Sequence, residues 1–209
     1  QSHVAVEKSI RNMKMTMQLA RSDLMSLEQY AVNRPDFRNR VIAHKKHRRV
    51  AIGPHLFLYF EDRLTVQYQI QEMLRIEKIF EADGIQEELD TYNPLIPDGA
   101  NLKATAMLEY QDVEQRKRQL ALLKGIEHLI WIQIDGFDPV YAIANEDLER
   151  SNDEKTSAVH FMRFELEPKM IDALKHGAKL VMGSNHESYR YHTDVTTDNR
   201  EALLVDLQY

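Results

Sequence analysis

The spacing of apolar residues changes along this 209-residue chain, and that change limits the fold more than any single motif. Up to Tyr92 most apolar positions keep helical intervals, with one alternating run between Arg48 and Asp62. From Leu102 onward, alternation dominates. Helices concentrated early and strands late predict an α+β protein, a mixed or antiparallel sheet with helices packed on it.

The local signals set the expected elements. Ser22 or Ser26 can cap a short helix over about 23 to 32, and Pro35 stands near the start of a second, about 36 to 47. "RRVAIGPHLFLYFED" follows as a strand apolar on both faces, with Gly53-Pro54 a turn, bulge or kink inside it. A long helix over roughly 63 to 81 should end at Asp83-Gly84, and Ile85, Leu89 and Tyr92 mark an amphipathic helix that Pro94 stops. "NPLIPDGAN" is the clearest loop in the chain.

Beyond it come a strand from Leu102 to Tyr110, a helix closed by Gly125, and a hairpin in "HLIWIQIDGFDPVYAIAN". "ERSNDEKTS" reads as a polar loop. "AVHFMRFEL", "PKMIDALKHG" and "AKLVMG" read as strand, helix, strand, with Pro168 at the first helical position. "GSNHESYRYHTD" is expected as a polar loop, and a final helix over about 198 to 207 as capped by Thr197. The expectation is one domain over 17–209, after a leader and tag remnant (Gln1 and Ser2) over 1–16.

The absence of cysteine excludes disulfides, thiolate zinc sites, cysteine nucleophiles and cysteine-ligated iron–sulfur clusters. A net charge of -6 argues against general nucleic-acid binding. No apolar run approaches the roughly 20 residues that span a bilayer, so a soluble cytoplasmic protein without a membrane partner is expected.

Two groups of residues could carry function. On a wheel of "QIQEMLRIEKIF", Gln67, Gln71, Arg75 and Lys78 form a solvent stripe, while Gln69, Glu72 and Glu77 fall among Ile70, Met73, Ile76, Ile79 and Phe80. Acids on an apolar side must be paired, protonated or metal-bound. With Glu88 from the next helix they could hold a divalent metal or supply an acid of raised pKa; alternatively Arg48, Arg49 or Arg75 neutralises them. No Glu-x-x-His pair supports a di-iron site. His186 and His192 are weaker candidates for the same metal.

The second group is "RPDFRNRVIAHKKHRR". Its Arg38, Arg40, Lys45, Lys46, Arg48 and Arg49 could bind an anion or an acidic partner, or form a solvated face. His44 reads as a core histidine beside an exposed His47, and His160 as buried and hydrogen-bonded. There is no G-x-S-x-G elbow and no Gly-rich phosphate loop.

"RVIAHKKHRRVAIGPHLFLYFEDRLTVQYQIQEMLRIEKIF", "IQEELDTYNPLIPDGANLKATAMLEY" and "KTSAVHFMRFEL" together resemble the bacterial domain-of-unknown-function family numbered 3501, over about Met17 to Leu207. The resemblance implies no reaction. Members are often encoded beside rubrerythrin-like proteins and iron–sulfur oxidoreductases, which implies a link to oxidative-stress or iron-related redox metabolism. Two functions therefore stand as expectations: an accessory protein that binds a redox or iron-handling partner, and a carboxylate-based metal protein or enzyme built on the glutamates of the 63–92 helices.

Overall fold

The computed structural model describes residues 2–208, with the side chains of all of these except Ser2, Ile10 and residues 12–16. Gln1, half of the expected tag remnant, lies outside the described residues. Contacts divide the chain into two compact units interleaved in sequence, the first ending at Lys46 and resuming over Glu61–Gly99, the second comprising His47–Phe60 and Ala100–Tyr209.

The first unit is helical. The expected leader is helix α1 (Ser2–Met17), and the two short helices expected around Pro35 are one, α2 (Leu27–Lys45). Ser26 caps α2 by accepting from Gln29 N at 3.1 Å, while the Gln29 side chain accepts from Ser26 N. An internal proline costs a helix about 3 kcal/mol. Here Tyr30, Phe37 and Val41 form one buried stripe running past Pro35, and their burial holds the helix continuous.

Helix α3 (Arg63–Ile76) starts on Asp62, whose carboxylate accepts from Thr65 N, and stops five residues before the expected end. Lys78 takes φ 53°, Lys78 N donates to Arg75 O, and Ile79 N donates to Leu74 O at 2.9 Å. Those paired bonds are a Schellman stop with lysine in the left-handed position usually held by glycine. Helix α4 (Ala82–Tyr92) then carries Gly84 inside it, and Pro94 follows in a short 3-10 turn, as its position predicts. Val66, Ile70, Leu74 and Leu89 share one core with Leu19 and Ile96.

The second unit contains two sheets, antiparallel at every pairing. The expected strand around Gly53-Pro54 is a hairpin, β1 (Arg49–Ile52) and β2 (Leu56–Phe60). Gly53 sits at φ +66°, and a Cβ there would lie 2.6 Å from the Tyr191 ring, so both backbone and space call for glycine. The remaining strands are β3 (Asn101–Leu108), β4 (Ile130–Ile134), β5 (Val140–Tyr141), β6 (Ile143–Ala144), β7 (Val159–Glu165), β8 (Leu180–His186) and β9 (Tyr189–Asp194).

Their order is β1-β2-β3-β7-β6 in one sheet and β5-β4-β8-β9 in the other. The predicted β4 hairpin forms with β5, but the chain changes sheet before Ile143. The expected strand, helix, strand unit contributes β7 and β8 to different sheets, and the polar "GSNHESYRYHTD" loop is largely the β8–β9 hairpin. One face of each sheet, with α5 (Val113–Leu122), α6 (Pro168–Lys175) and α7 (Thr197–Leu204), builds a single core. Thr196 rather than Thr197 caps α7. The α+β class and antiparallel sheets follow the expectation. No helix of the described residues is long and apolar enough to cross a membrane.

Candidate functional site

Glu72 on α3 and Glu77, the residue that caps its C-terminus, have different surroundings. Glu72, half-buried, accepts from Arg34 Nη2 at 2.7 Å, from Arg34 Nε at 3.1 Å to each oxygen, and from Tyr68 OH at 3.1 Å. Hydrogen bonds from Arg34 hold its carboxyl below the usual range against the opposing effect of burial. Burial, together with the Glu72 charge, pushes the phenol of fully buried Tyr30 well above its ordinary value. Glu72 is thus neutralised across α2 and α3, by Arg34 rather than by Arg75, which is exposed.

Gln69 and Glu77 are exposed, not turned to the core, and the expected solvent-facing Gln71 is fully buried. Its amide accepts from Met25 N at 2.7 Å and donates to Met25 O at 3.1 Å, so it has partners in an otherwise apolar core. Glu88 is half-buried, and burial first, then the charges of Glu77 and Glu87, raise its carboxyl above the usual range. Among the described residues no three His, Asp or Glu side chains are grouped to hold a metal, so Glu72, Glu77 and Glu88 share no such position.

The basic segment divides between the two units. Arg38, Arg40 and Lys45 are exposed on α2 and Lys46 at its C-cap, and among the described residues no carboxylate pairs with them. Lys45 Nζ lies 5.5 Å from the Tyr68 ring centre, and His44, half-buried, contacts Asp62 at 2.5 Å. Arg48, expected to bind a partner, is buried: it ion-pairs with Asp206 and donates to the carbonyls of Phe60 and Ala202. Arg49 is exposed but lies over Phe57 with its guanidinium carbon 4.0 Å from the ring centre.

In the second unit His186 is buried with both ring nitrogens engaged, Nε2 donating to Lys124 O at 2.8 Å and Nδ1 accepting from Ser188 N at 3.1 Å. His192 is exposed on β9.

Sequence reading passed over a third cluster, in which Glu127 is buried and accepts from Ser151 Oγ at 2.5 Å and Thr156 Oγ1 at 3.2 Å. His160 Nε2 donates toward Ser157 O at 2.9 Å, and its Nδ1 accepts from Asn145 Nδ2 at 2.8 Å. Asn145, at φ 53°, fixes that assignment because its Oδ1 accepts from Phe161 N. Burial lowers the His160 pKa, so the ring is held neutral. The one sequence signal for this cluster was His160 on an apolar strand face; Glu127, Ser151 and Thr156 sit in no spacing that announces them. Their bonds fasten the 145–158 loop, and neither nitrogen of His160 is left to act as a base.

Among solved structures the chain resembles one described as a novel protein of unknown function from Burkholderia pseudomallei K96243, with 53% identity and a TM-score of 0.87. The match covers 92% of this chain and 100% of that one. No curated protein matches it. A family model described as "Protein of unknown function (DUF3501)" matches residues 18–207, so the chain belongs to the DUF3501 family.

Proposed function

We propose that the protein is a non-enzymatic accessory protein that docks an acidic partner protein on the exposed side of α2. The observation that carries this reading is a set of cations without counter-charges. Arg38, Ile42, Lys45 and Lys46 recur at i, i+4, i+7 and i+8, which puts them on one side of the helix. Ile42 is 53% exposed among them, an apolar contact within a cationic rim. The chain has 33 acidic residues against 27 lysines and arginines, so a positive face here does not follow from composition. Charge of one sign on such a face steers an oppositely charged protein and sets its orientation.

The genomic neighbourhood implied by the family resemblance puts rubrerythrin-like and iron–sulfur proteins first among partners to test. The experiment measures binding of such a purified protein by calorimetry at low and high salt. Wild type should bind more weakly as salt rises. The Arg38→Glu, Lys45→Glu, Lys46→Glu triple variant should lose binding while keeping its helical circular dichroism. Arg40→Glu, which changes the charge off that stripe, should lose far less. Equal binding by wild type and the triple variant sinks the docking reading, and binding by neither sinks the choice of partner.

A further inference from the structure

A cavity of about 620 Å³ opens in the second unit beside the β1–β2 turn, the end of β3 and the first turns of α5. That size lies within the range of small-molecule sites, about 300–1,000 Å³. Phe57, Met107 and Leu108 supply apolar wall, and His55, Gln115 and Arg116 supply polar groups.

His55 is fixed from several sides. Its backbone N donates to Tyr189 OH at 3.0 Å, and its carbonyl accepts from Glu109 N at 2.8 Å. The ring stacks on Tyr110 with centroids 4.1 Å apart and an angle of 23°. Nδ1 lies 2.8 Å from the Glu109 carbonyl. A carbonyl only accepts, so Nδ1 carries a proton, and in the singly protonated ring it is Nε2 that presents a lone pair. Among the described residues nothing bonds to that Nε2. His160 and His186, the buried histidines of the same unit, each have both nitrogens engaged.

Arg116 repeats the pattern. It is half-buried on α5, and no carboxylate among the described residues pairs with it, whereas Arg48, Arg150 and Arg163 are all ion-paired. The carboxylate at the cavity rim, Glu109, accepts from Tyr59 OH at 2.9 Å. One guanidinium with a carboxylate nearby suits a ligand of single negative charge better than a dianionic phosphate.

We propose that this cavity binds a small monoanionic hydroxy acid. Its carboxylate lies on Arg116, its apolar body lies against Phe57 and Met107, and its hydroxyl donates to Nε2 of His55. The site is independent of the docking face, which belongs to the other unit.

The test uses mandelate, an aromatic hydroxy acid, followed by side-chain nitrogen NMR of the full chain. Mandelate should shift the His55 ring and Gln115 amide signals saturably, while neutral mandelamide and inorganic phosphate should not. Arg116→Gln should weaken mandelate by about tenfold or more. His55→Phe, which preserves the ring stack, should abolish the preference for mandelate over phenylacetate, which lacks the hydroxyl. Trp131 fluorescence is the control for whether both variants remain folded. Absence of saturable shifts in the wild type, equal affinity in Arg116→Gln, or mandelamide binding as well as mandelate would each overturn the proposal.

Discussion

Removing Asp206 should unfold the second unit far more easily than the loss of one C-terminal side chain suggests. Its carboxylate pairs with Arg48, and the two side chains are 4% and 3% exposed. Arg48 also donates through Nε to Phe60 O at 2.9 Å and through Nη1 to Ala202 O at 3.1 Å, joining the residue before β1 to α7. Breaking a buried pair by deleting one partner costs about 3–5 kcal/mol, because the other charge stays in a site with little water. In Asp206→Ala the guanidinium keeps its two carbonyls, which places the loss near the lower bound, about 3 kcal/mol. Arg48→Met takes the guanidinium away from the carboxylate and from both carbonyls at once, which places it near about 5 kcal/mol. The double variant Arg48→Met, Asp206→Leu removes both charges of the pair but still leaves the two carbonyls without the guanidinium, so it should cost no more than Arg48→Met alone, a coupling of at least about 3 kcal/mol.

Trp131 is the chain's single tryptophan and lies on β4, so urea unfolding followed by its fluorescence reports on the unit that contains the pair. With a slope of about 2 kcal/mol per molar urea, Asp206→Ala should lower the midpoint by about 1.5 M. Single variants that each cost under about 1 kcal/mol and add without coupling would show a hydrated pair and refute the reasoning.

Two further outcomes follow from shifted carboxyls of opposite sign. Burial alone would raise Glu127, but hydrogen bonds from Ser151 and its own backbone, with the nearby histidines, hold it below its ordinary 4.5. Its stabilisation is present above that value and is lost as pH falls through the folded pKa, so Glu127→Gln, weaker at neutral pH, should show a flatter acid limb in Trp131 melts; parallel limbs would contradict this. Glu88 is raised, so its stabilisation is complete below 4.5 and is lost as pH rises through the folded pKa. Glu88→Gln should therefore stabilise the first unit slightly at neutral pH and not below pH 4, read by circular dichroism; destabilisation at neutral pH would mean that the carboxylate has a favourable partner.

Much of the fold was legible because its signals are local. Pro168 at a helix start, Gly125 closing the turn after α5 and the alternation of "AVHFMRFEL" each act within a few residues, and the chain obeys them. The failures came where a distant contact outweighed a local preference. Pro35 reads as a boundary until Tyr30, Phe37 and Val41 are seen buried in one stripe across it. Lys78 gives no stop signal, because lysine rarely takes the left-handed conformation that ends α3. That early stop leaves Ile76 and Phe80 64% and 74% exposed, although the wheel placed both toward the core. Gln71 was misplaced because an amide on a helix looks solvated until the Met25 backbone is brought against it. Glu72 was recognised as needing a partner, but its partner Arg34 lies 38 positions away, beyond any spacing rule.

The same contrast explains why cations are the more informative charges here. In a chain with more acids than bases, an arginine inside a packed unit will meet a carboxylate unless the fold keeps one away. Arg34, Arg48, Arg150 and Arg163 each meet one, and their guanidiniums are engaged within their own unit. Among the described residues Arg38 and Lys45 on α2, Lys46 at its C-cap, and Arg116 beside the His55 cavity do not, although acids are plentiful in both units. Because these two sets lie on different units, their roles separate experimentally: charge reversal on α2 should leave mandelate binding unchanged, and Arg116→Gln should leave partner docking unchanged. A variant in either set that impaired both would point to a general loss of folding rather than to two binding surfaces.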